Sequence, residues 1–226
     1  MAPAPFEPTV PPGRVLARLP ERGREAVLAV AVPRTWARGT LLTRDGEDAH
    51  SLLVLTSGHV LVRISTEAGD RVALGVQGPG DVLGEVGLLN PRRERTADAE
   101  ALDTVTGLTL RREDFDRVRR ENPVVDDFVM ELMARRIDRL SHRLAEAFHV
   151  PVGTRVARRL YEVGRLYADA HVVRVPLTQE DVAGLAGTTR PTANAALRAL
   201  EQDGLVRLGR GQVELLDLTG LRARCR

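Results

Sequence analysis

The apolar period of this chain turns from strand-like to helical at Asn122-Pro123, and that change limits the folds open to it. Before it, short β-branched or leucine-rich runs alternate with turn signals. Leu52 to Leu55 precedes Ser57-Gly58, Val60 to Ile64 precedes Ala68-Gly69-Asp70, and Val72 to Val76 precedes Pro79-Gly80-Asp81. A further run covers Thr104 to Leu110. Strands this short and this closely spaced predict a small antiparallel roll or barrel. Residues 15–32, ahead of the roll, have helical spacing. After Asn122-Pro123 the period is helical to about Phe148. Met130, Met133, Ile137, Leu140, Leu144 and Ala147 form a seam in steps of three and four, the pattern of a two-helix contact. Val125, Phe128, Val129 and Leu132 lie on a different face and are expected to pack on the roll. Val150-Pro151-Val152-Gly153 then breaks the helix and is expected to act as a hinge.

This division predicts an α+β protein: residues 1–121 as a β-roll with an N-terminal arm and helix, 122–150 as a dimerisation helix, and 151–226 as a third unit. In that last unit, residues 154–168 read as a helix and Val172 to Val175 as a strand. Leu205 to Leu216, with Gly209-Arg210-Gly211 at its middle, reads as a two-stranded wing. Thr178 and Asp181 have the spacing of a capping box, and Gly187 suits a left-handed turn. Thr189 then caps a second helix with Pro191 in its first turn. This is helix-turn-helix spacing. Arg190, Thr192, Asn194 and Arg198 are expected on or near the exposed side of that second helix. Arg suits guanine, Asn adenine, and Thr a phosphate or a thymine methyl. Arg210 at the wing tip can track a backbone. The candidate DNA-binding set is therefore Thr178, Gln179, Thr189, Arg190, Pro191, Thr192, Asn194, Arg198 and Arg210. Residues 151–226 hold twelve Arg against eight acids, a mildly basic balance that fits nucleic acid.

Gly84-Glu85-Val86 to Arg95-Thr96-Ala97 suits a small phosphorylated ligand. Gly84 lets backbone approach closely. The N–H groups of a short turn from Val86 to Leu89 can point at an anion. Arg95 can fork onto phosphate oxygens, Thr96 adds a hydroxyl, and Glu85 accepts from a sugar hydroxyl.

With these two motifs in one chain, the sequence resembles the Crp/Fnr family of bacterial transcription regulators over about Leu19 to Leu216. The resemblance implies a homodimer with a cyclic-nucleotide-binding-type roll, a long dimer helix and a winged helix-turn-helix. It implies that ligand binding reorients the DNA-binding domains. It assigns the cyclic phosphate to Arg95 and Thr96, backbone contact to Gly84, and the ribose hydroxyl to Glu85. Arg136, Leu140 and Ser141 would approach from the long helix. Where cyclic-AMP receptors carry a Thr-Ser pair, this chain has Leu140-Ser141, and Leu140 can neither donate nor accept a hydrogen bond. Where they show Arg-Glu-Thr-Val-Gly-Arg, it has Arg190-Pro191-Thr192-Ala193-Asn194-Ala195, which implies a different DNA site.

The function expected is that of a sequence-specific regulator of double-stranded DNA at a near-palindromic site, working with RNA polymerase. No cofactor is required, and cyclic AMP or cyclic GMP is the candidate effector. The same regulator without a nucleotide switch, its pocket vestigial or repurposed, is a second reading. A regulatory module of an enzyme or channel is a third. No enzyme activity is expected, since the five His show no metal spacing and no nucleophile–base pattern stands out. The longest uncharged apolar run, Ala26 to Val32, is far too short to span a membrane. A single cysteine, Cys225, excludes an internal disulfide and reads as a frayed, reduced tail in a cytoplasmic protein.

Overall fold

The computed structural model describes residues 19–67, 69, 71–167 and 173–226. The expected N-terminal arm, the start of the first helix, Ala68 and Asp70 of one turn, and Val172 of a strand lie outside the described residues. Those residues divide into two compact units, one from 19–69 with 76–140 and the other from 71–75 with 141–226.

The first unit opens with α1 (Glu21–Val30) and continues through β1 (Val32–Trp36), β2 (Leu41–Thr43), β3 (Ser51–Ser57) and β4 (Val60–Ser65). Next come β5 (Arg71–Gln77), of which only Val76 and Gln77 fall within this unit, β6 (Val82–Leu83), a single helical turn and a half as α2 (Glu85–Leu89), β7 (Asp98–Ala101), β8 (Val105–Arg111) and α3 (Arg112–Glu121). Two four-stranded sheets result, ordered β1-β8-β3-β6 and β2-β7-β4-β5, and every resolved pairing is antiparallel. The run Leu52-Leu53-Val54-Leu55 explains how they pack. Leu53 and Leu55 join Val60, Val62, Ala99 and Val105 between the sheets. Leu52 and Val54 point the other way, against α1, α3 and the next helix, α4 (Pro123–His149), among Val27, Phe115, Val118 and Phe128. A strand buried on both faces cannot alternate apolar with polar residues, which is why β3 reads as a continuous run.

α4 covers the roll with Val125, Phe128 and Val129, all buried, and Leu132 beside them. Its other face stays bare: Met130, Ile137, Leu140, Leu144 and Phe148 are each at least half exposed. These are the two faces expected from the sequence, although Met133 is half-buried.

Several elements depart from expectation. The first helix ends at Val30, and residues 32–36 form a strand. β1 lies at a sheet edge, where Pro33 deletes a donor that has no partner strand to meet. β7 (Asp-Ala-Glu-Ala) has no β-branched residue; it is a strand because Ala99 and Ala101 fill the narrow space between sheets. α3 carries eight charged residues in ten and is held by Phe115 and Val118 alone on its buried face.

The second unit contains α5 (Val152–Leu166), β9 (Val173–Val175), α6 (Gln179–Ala186), α7 (Arg190–Gln202), β10 (Val206–Gly209), β11 (Gln212–Leu215) and α8 (Leu218–Ala223). Val156, Leu160 and Val163 of α5 are buried, as are Val182 and Leu185 of α6 and Ala193, Leu197 and Leu200 of α7. The three strands pair antiparallel in the order β10-β11-β9. Cys225 is not the frayed tail expected. It is fully buried behind α8, its Sγ 3.2 Å from the Leu221 carbonyl oxygen.

The break at Val150-Pro151 is present, but the corner is tied. Arg155 of α5 donates from Nη1 to the carbonyls of Ala147 (3.1 Å) and Val150 (2.8 Å), at the end of α4. Its Nε and Nη2 reach the carbonyls of Ala186 (2.9 Å) and Gly187 (3.2 Å), at the end of α6. One guanidinium thus satisfies open carbonyls at two helix C-termini. Beside it, Glu146 pairs with Arg158 (2.8 Å) and with buried Arg159, which also bonds both oxygens of Glu162 (2.7 Å each).

Candidate functional site

The segment from Gly84 to Thr96 is fixed at both ends. The Arg95 N–H donates to the Glu47 carbonyl (2.7 Å), and the Arg95 carbonyl accepts from Gly46 (2.9 Å). Such pinning turns the Arg95 side chain inward, where it is 8% exposed. Its Nη2 donates to Ser51 Oγ (3.0 Å), while its Nη1 is buried with no hydrogen-bond partner. Nη1 lies against Gly84, where φ is +88° and a Cβ would come within 1.9 Å of that nitrogen. Glycine is required there twice over, for the left-handed backbone and for the room Arg95 occupies.

Burial pushes the Arg95 guanidinium below its ordinary value, and nearby Arg112 adds to the effect, with Glu47 and Glu85 opposing. A buried cation with an open N–H and a second cation nearby favours an anion at that nitrogen. α2 begins at Glu85, so its first backbone N–H groups lie beside Gly84. Glu85 is 4% exposed and is ion-paired with Arg136 of α4. Asp81, just upstream, accepts the Gly78 N–H (2.8 Å), and its burial pushes the carboxyl above the usual range.

Five of the expected ligand residues therefore gather here: Gly84, Glu85, Val86, Arg95 and Arg136. Thr96 is adjacent and exposed. Leu140 and Ser141 stand further along α4, both exposed on the bare side. Sequence reasoning missed Ser51 and Arg112. Ser51 begins β3 and Arg112 follows β8, strands whose pairing places Ser51 opposite Arg111, a long-range neighbourhood that no local motif announces.

In the second unit Thr178 N–H donates to Asp181 Oδ2 (2.9 Å), and Asp181 N–H donates to Thr178 Oγ1 (3.1 Å), closing the expected capping box. Gly187 takes the left-handed conformation at φ +61°. Thr189 holds the N-cap position of α7, yet its hydroxyl bonds the Thr192 hydroxyl (2.9 Å) instead of a backbone N–H. Arg190, Pro191, Thr192 and Arg198 are exposed, Gln179 is half-buried, and Arg210 is exposed in the wing turn. Asn194 is the exception to the expected exposed set. It is half-buried with Oδ1 fully covered, because it lies at the border of the face carrying Ala193 and Leu197. Among the described residues, no three His, Cys, Asp or Glu side chains gather to hold a metal ion. No helix among them is long and apolar enough to cross a membrane.

A roll with a buried anion-seeking arginine, followed by a winged helix-turn-helix, defines a ligand-binding-type DNA-binding regulator. Residues 33–122 match the cyclic nucleotide-binding domain, and residues 154–224 match the Crp-like helix-turn-helix domain. The chain is 31% identical to the cyclic AMP receptor protein of Thermus thermophilus over 184 residues, 81% of this chain and 83% of that one. It is 28% identical to a CRP-like cAMP-activated global transcriptional regulator of Mycobacterium tuberculosis, over 86% of this chain and 88% of the relative. The crystal structure of the Thermus thermophilus catabolite activator protein superposes with a TM-score of 0.54 at 28% identity, covering 94% of this chain and 98% of that one. A Crp/Fnr-family regulator from Eubacterium rectale shares the fold at a TM-score of 0.72 and 20% identity, over 93% and 97% of the two chains. The chain belongs to the Crp/Fnr family of DNA-binding transcription regulators.

Proposed function

We propose that this regulator is a homodimer switched by a cyclic nucleotide bound in its roll. The observation that carries the reading is the buried Arg95 Nη1, unpartnered beside Gly84 and the start of α2. A cyclic phosphate supplies the missing acceptor, with Thr96 and the backbone of Gly84 and Val86 around it. Glu85, held by Arg136, takes a sugar hydroxyl, and Leu140 and Ser141 meet the base side from α4. That relatives are named cAMP-activated supports cyclic AMP as the first effector to test, with cyclic GMP the second.

In this reading residues 1–121 sense, 122–150 dimerise and 151–226 bind DNA. The bare face of α4, with Met130, Ile137 and Leu144, supports pairing with a second copy. Thr178, Gln179, Thr189, Arg190, Pro191, Thr192, Arg198 and Arg210 form the DNA-facing set. Two copies of α7 about 34 Å apart would read a near-palindromic site. The protein acts in the cytoplasm with RNA polymerase, and it is not an enzyme.

Calorimetric titration of the full chain with cyclic AMP and cyclic GMP, alongside DNA affinity at fixed salt, tests the switch. Heat of binding and a tighter DNA complex are expected from one of them. No heat and no change in DNA affinity favours the second reading, an effector-independent regulator with a repurposed pocket. Leu140, unable to hydrogen-bond a base, is the observation that motivates it.

A further inference from the structure

The outward face of α7 is unusually poor in free hydrogen-bonding groups. Residues at spacings of four and eight share one side of a helix, so Arg190 lines up with Asn194 and Arg198, and Pro191 with Ala195 and Ala199; all are exposed except half-buried Asn194. Most polar side chains on or beside this face are already engaged. Arg198 pairs with Glu201 (2.7 Å), whose other oxygen accepts the Leu208 N–H of the wing (2.8 Å). The Thr192 hydroxyl is tied to Thr189 (2.9 Å), whereas the covered Oδ1 of Asn194 has no hydrogen-bond partner. Arg190 is exposed in the first turn and makes no ion pair among the described residues.

A helix in the major groove faces base edges that carry donors and acceptors, with one apolar exception, the 5-methyl group of thymine. Alanine can offer those donors and acceptors nothing and would leave them unmet. The face is therefore complementary to a guanine beside one or more thymines. We propose that each half-site is read by Arg190 on a guanine and by the Ala195 methyl, with Pro191 next to it, on a thymine methyl. This rests on the DNA-binding reading of α7 and deepens it by naming the bases.

The test begins with the full-length protein selecting duplexes from a randomised pool at fixed salt. Each thymine of the selected site is then replaced singly by deoxyuridine, and each guanine by 7-deazaguanine. Deoxyuridine at one thymine per half-site should weaken binding roughly three- to tenfold, and 7-deazaguanine at one guanine by more. Ala195→Gly should bind the thymine and deoxyuridine duplexes alike, and Arg190→Ala should ignore the 7-deazaguanine. The scan on the unaltered protein stands even if a variant folds poorly. A flat deoxyuridine scan on a clearly selected site overturns the thymine assignment alone. Failure to select any sequence overturns the DNA-reading role of α7 as well.

Discussion

Arg95 in the roll and Arg159 in the C-terminal unit are both buried cations, 8% and 5% exposed, but their surroundings differ. Arg159 bonds Glu146 and both oxygens of Glu162, so its charge is matched where it stands. Arg95 has one hydroxyl partner, an orphan Nη1, and a second arginine nearby. Burying a charge without partners is costly, and a fold keeps such a group only where something else compensates. Arg159 belongs to the architecture, whereas Arg95 has a partner still to come.

The contrast is broken most directly by substitution. Arg159→Met removes the buried cation shared by Glu146 and Glu162, leaving Glu146 with Arg158 and Glu162 with Arg143, and breaking such a buried pair costs up to about 3–5 kcal/mol. Denaturant unfolding of the full chain should show that loss, in the transition that reports the C-terminal unit. Arg95→Met should do the opposite. It removes an unmatched buried charge, so stability should hold or rise in the same measurement. Nucleotide affinity, read by calorimetry, should fall by about 2–5 kcal/mol, as when one member of a buried charged pair is truncated. If Arg95→Met destabilises the roll as strongly as Arg159→Met destabilises its unit, the two arginines are equivalent and the pocket assignment loses its basis.

A smaller effect separates reading DNA from holding the fold. Arg190→Ala touches no buried group, so its unfolding should be unchanged. Specific DNA affinity should drop by about 1–3 kcal/mol, with the loss concentrated at one base of each half-site. A uniform loss across all sequences would instead mark Arg190 as a phosphate contact.

How much of this was legible in the sequence depends on the range of the interactions involved. The helix-turn-helix was readable almost residue by residue. Thr178 with Asp181, Gly187 and Pro191 act through backbone groups three or four residues away, and the structure places each at its cap or turn. The Gly84 to Thr96 segment was readable for the same reason. Ser51, Arg112 and the Glu146–Arg159 pair were not, because strand pairing and helix packing bring them together across the chain. β1 and β7 escaped since edge position and narrow intersheet space, not β propensity, make them strands. Asn194 was misjudged by a fraction of a helical turn, which is enough to move an amide from solvent to the border of the core.

The corner around Arg159 offers a final and subtler check through Cys225. Arg158 donates from Nε to the Cys225 carbonyl (2.8 Å), so the thiol lies beside two arginines. An unmatched cationic field would lower its pKa. Burial instead pushes it up to about 11 from 9.0, the pull of Arg158 and Arg159 being countered by Glu162 and Glu146. The folded chain then holds the thiol proton more tightly than the unfolded chain between pH 9 and 11. The resulting stability is fully present below pH 9 and is lost as pH rises through that window. Native Cys225 should resist alkylation at pH 8 and react at the ordinary rate once unfolded in urea. Glu146→Gln removes one of the opposing acids and should shift the midpoint of the alkylation pH profile downward. A profile that stays in place would mean that the arginines at this corner are not matched by Glu146. The distinction drawn between Arg159 and Arg95 would then have to rest on hydrogen bonds alone.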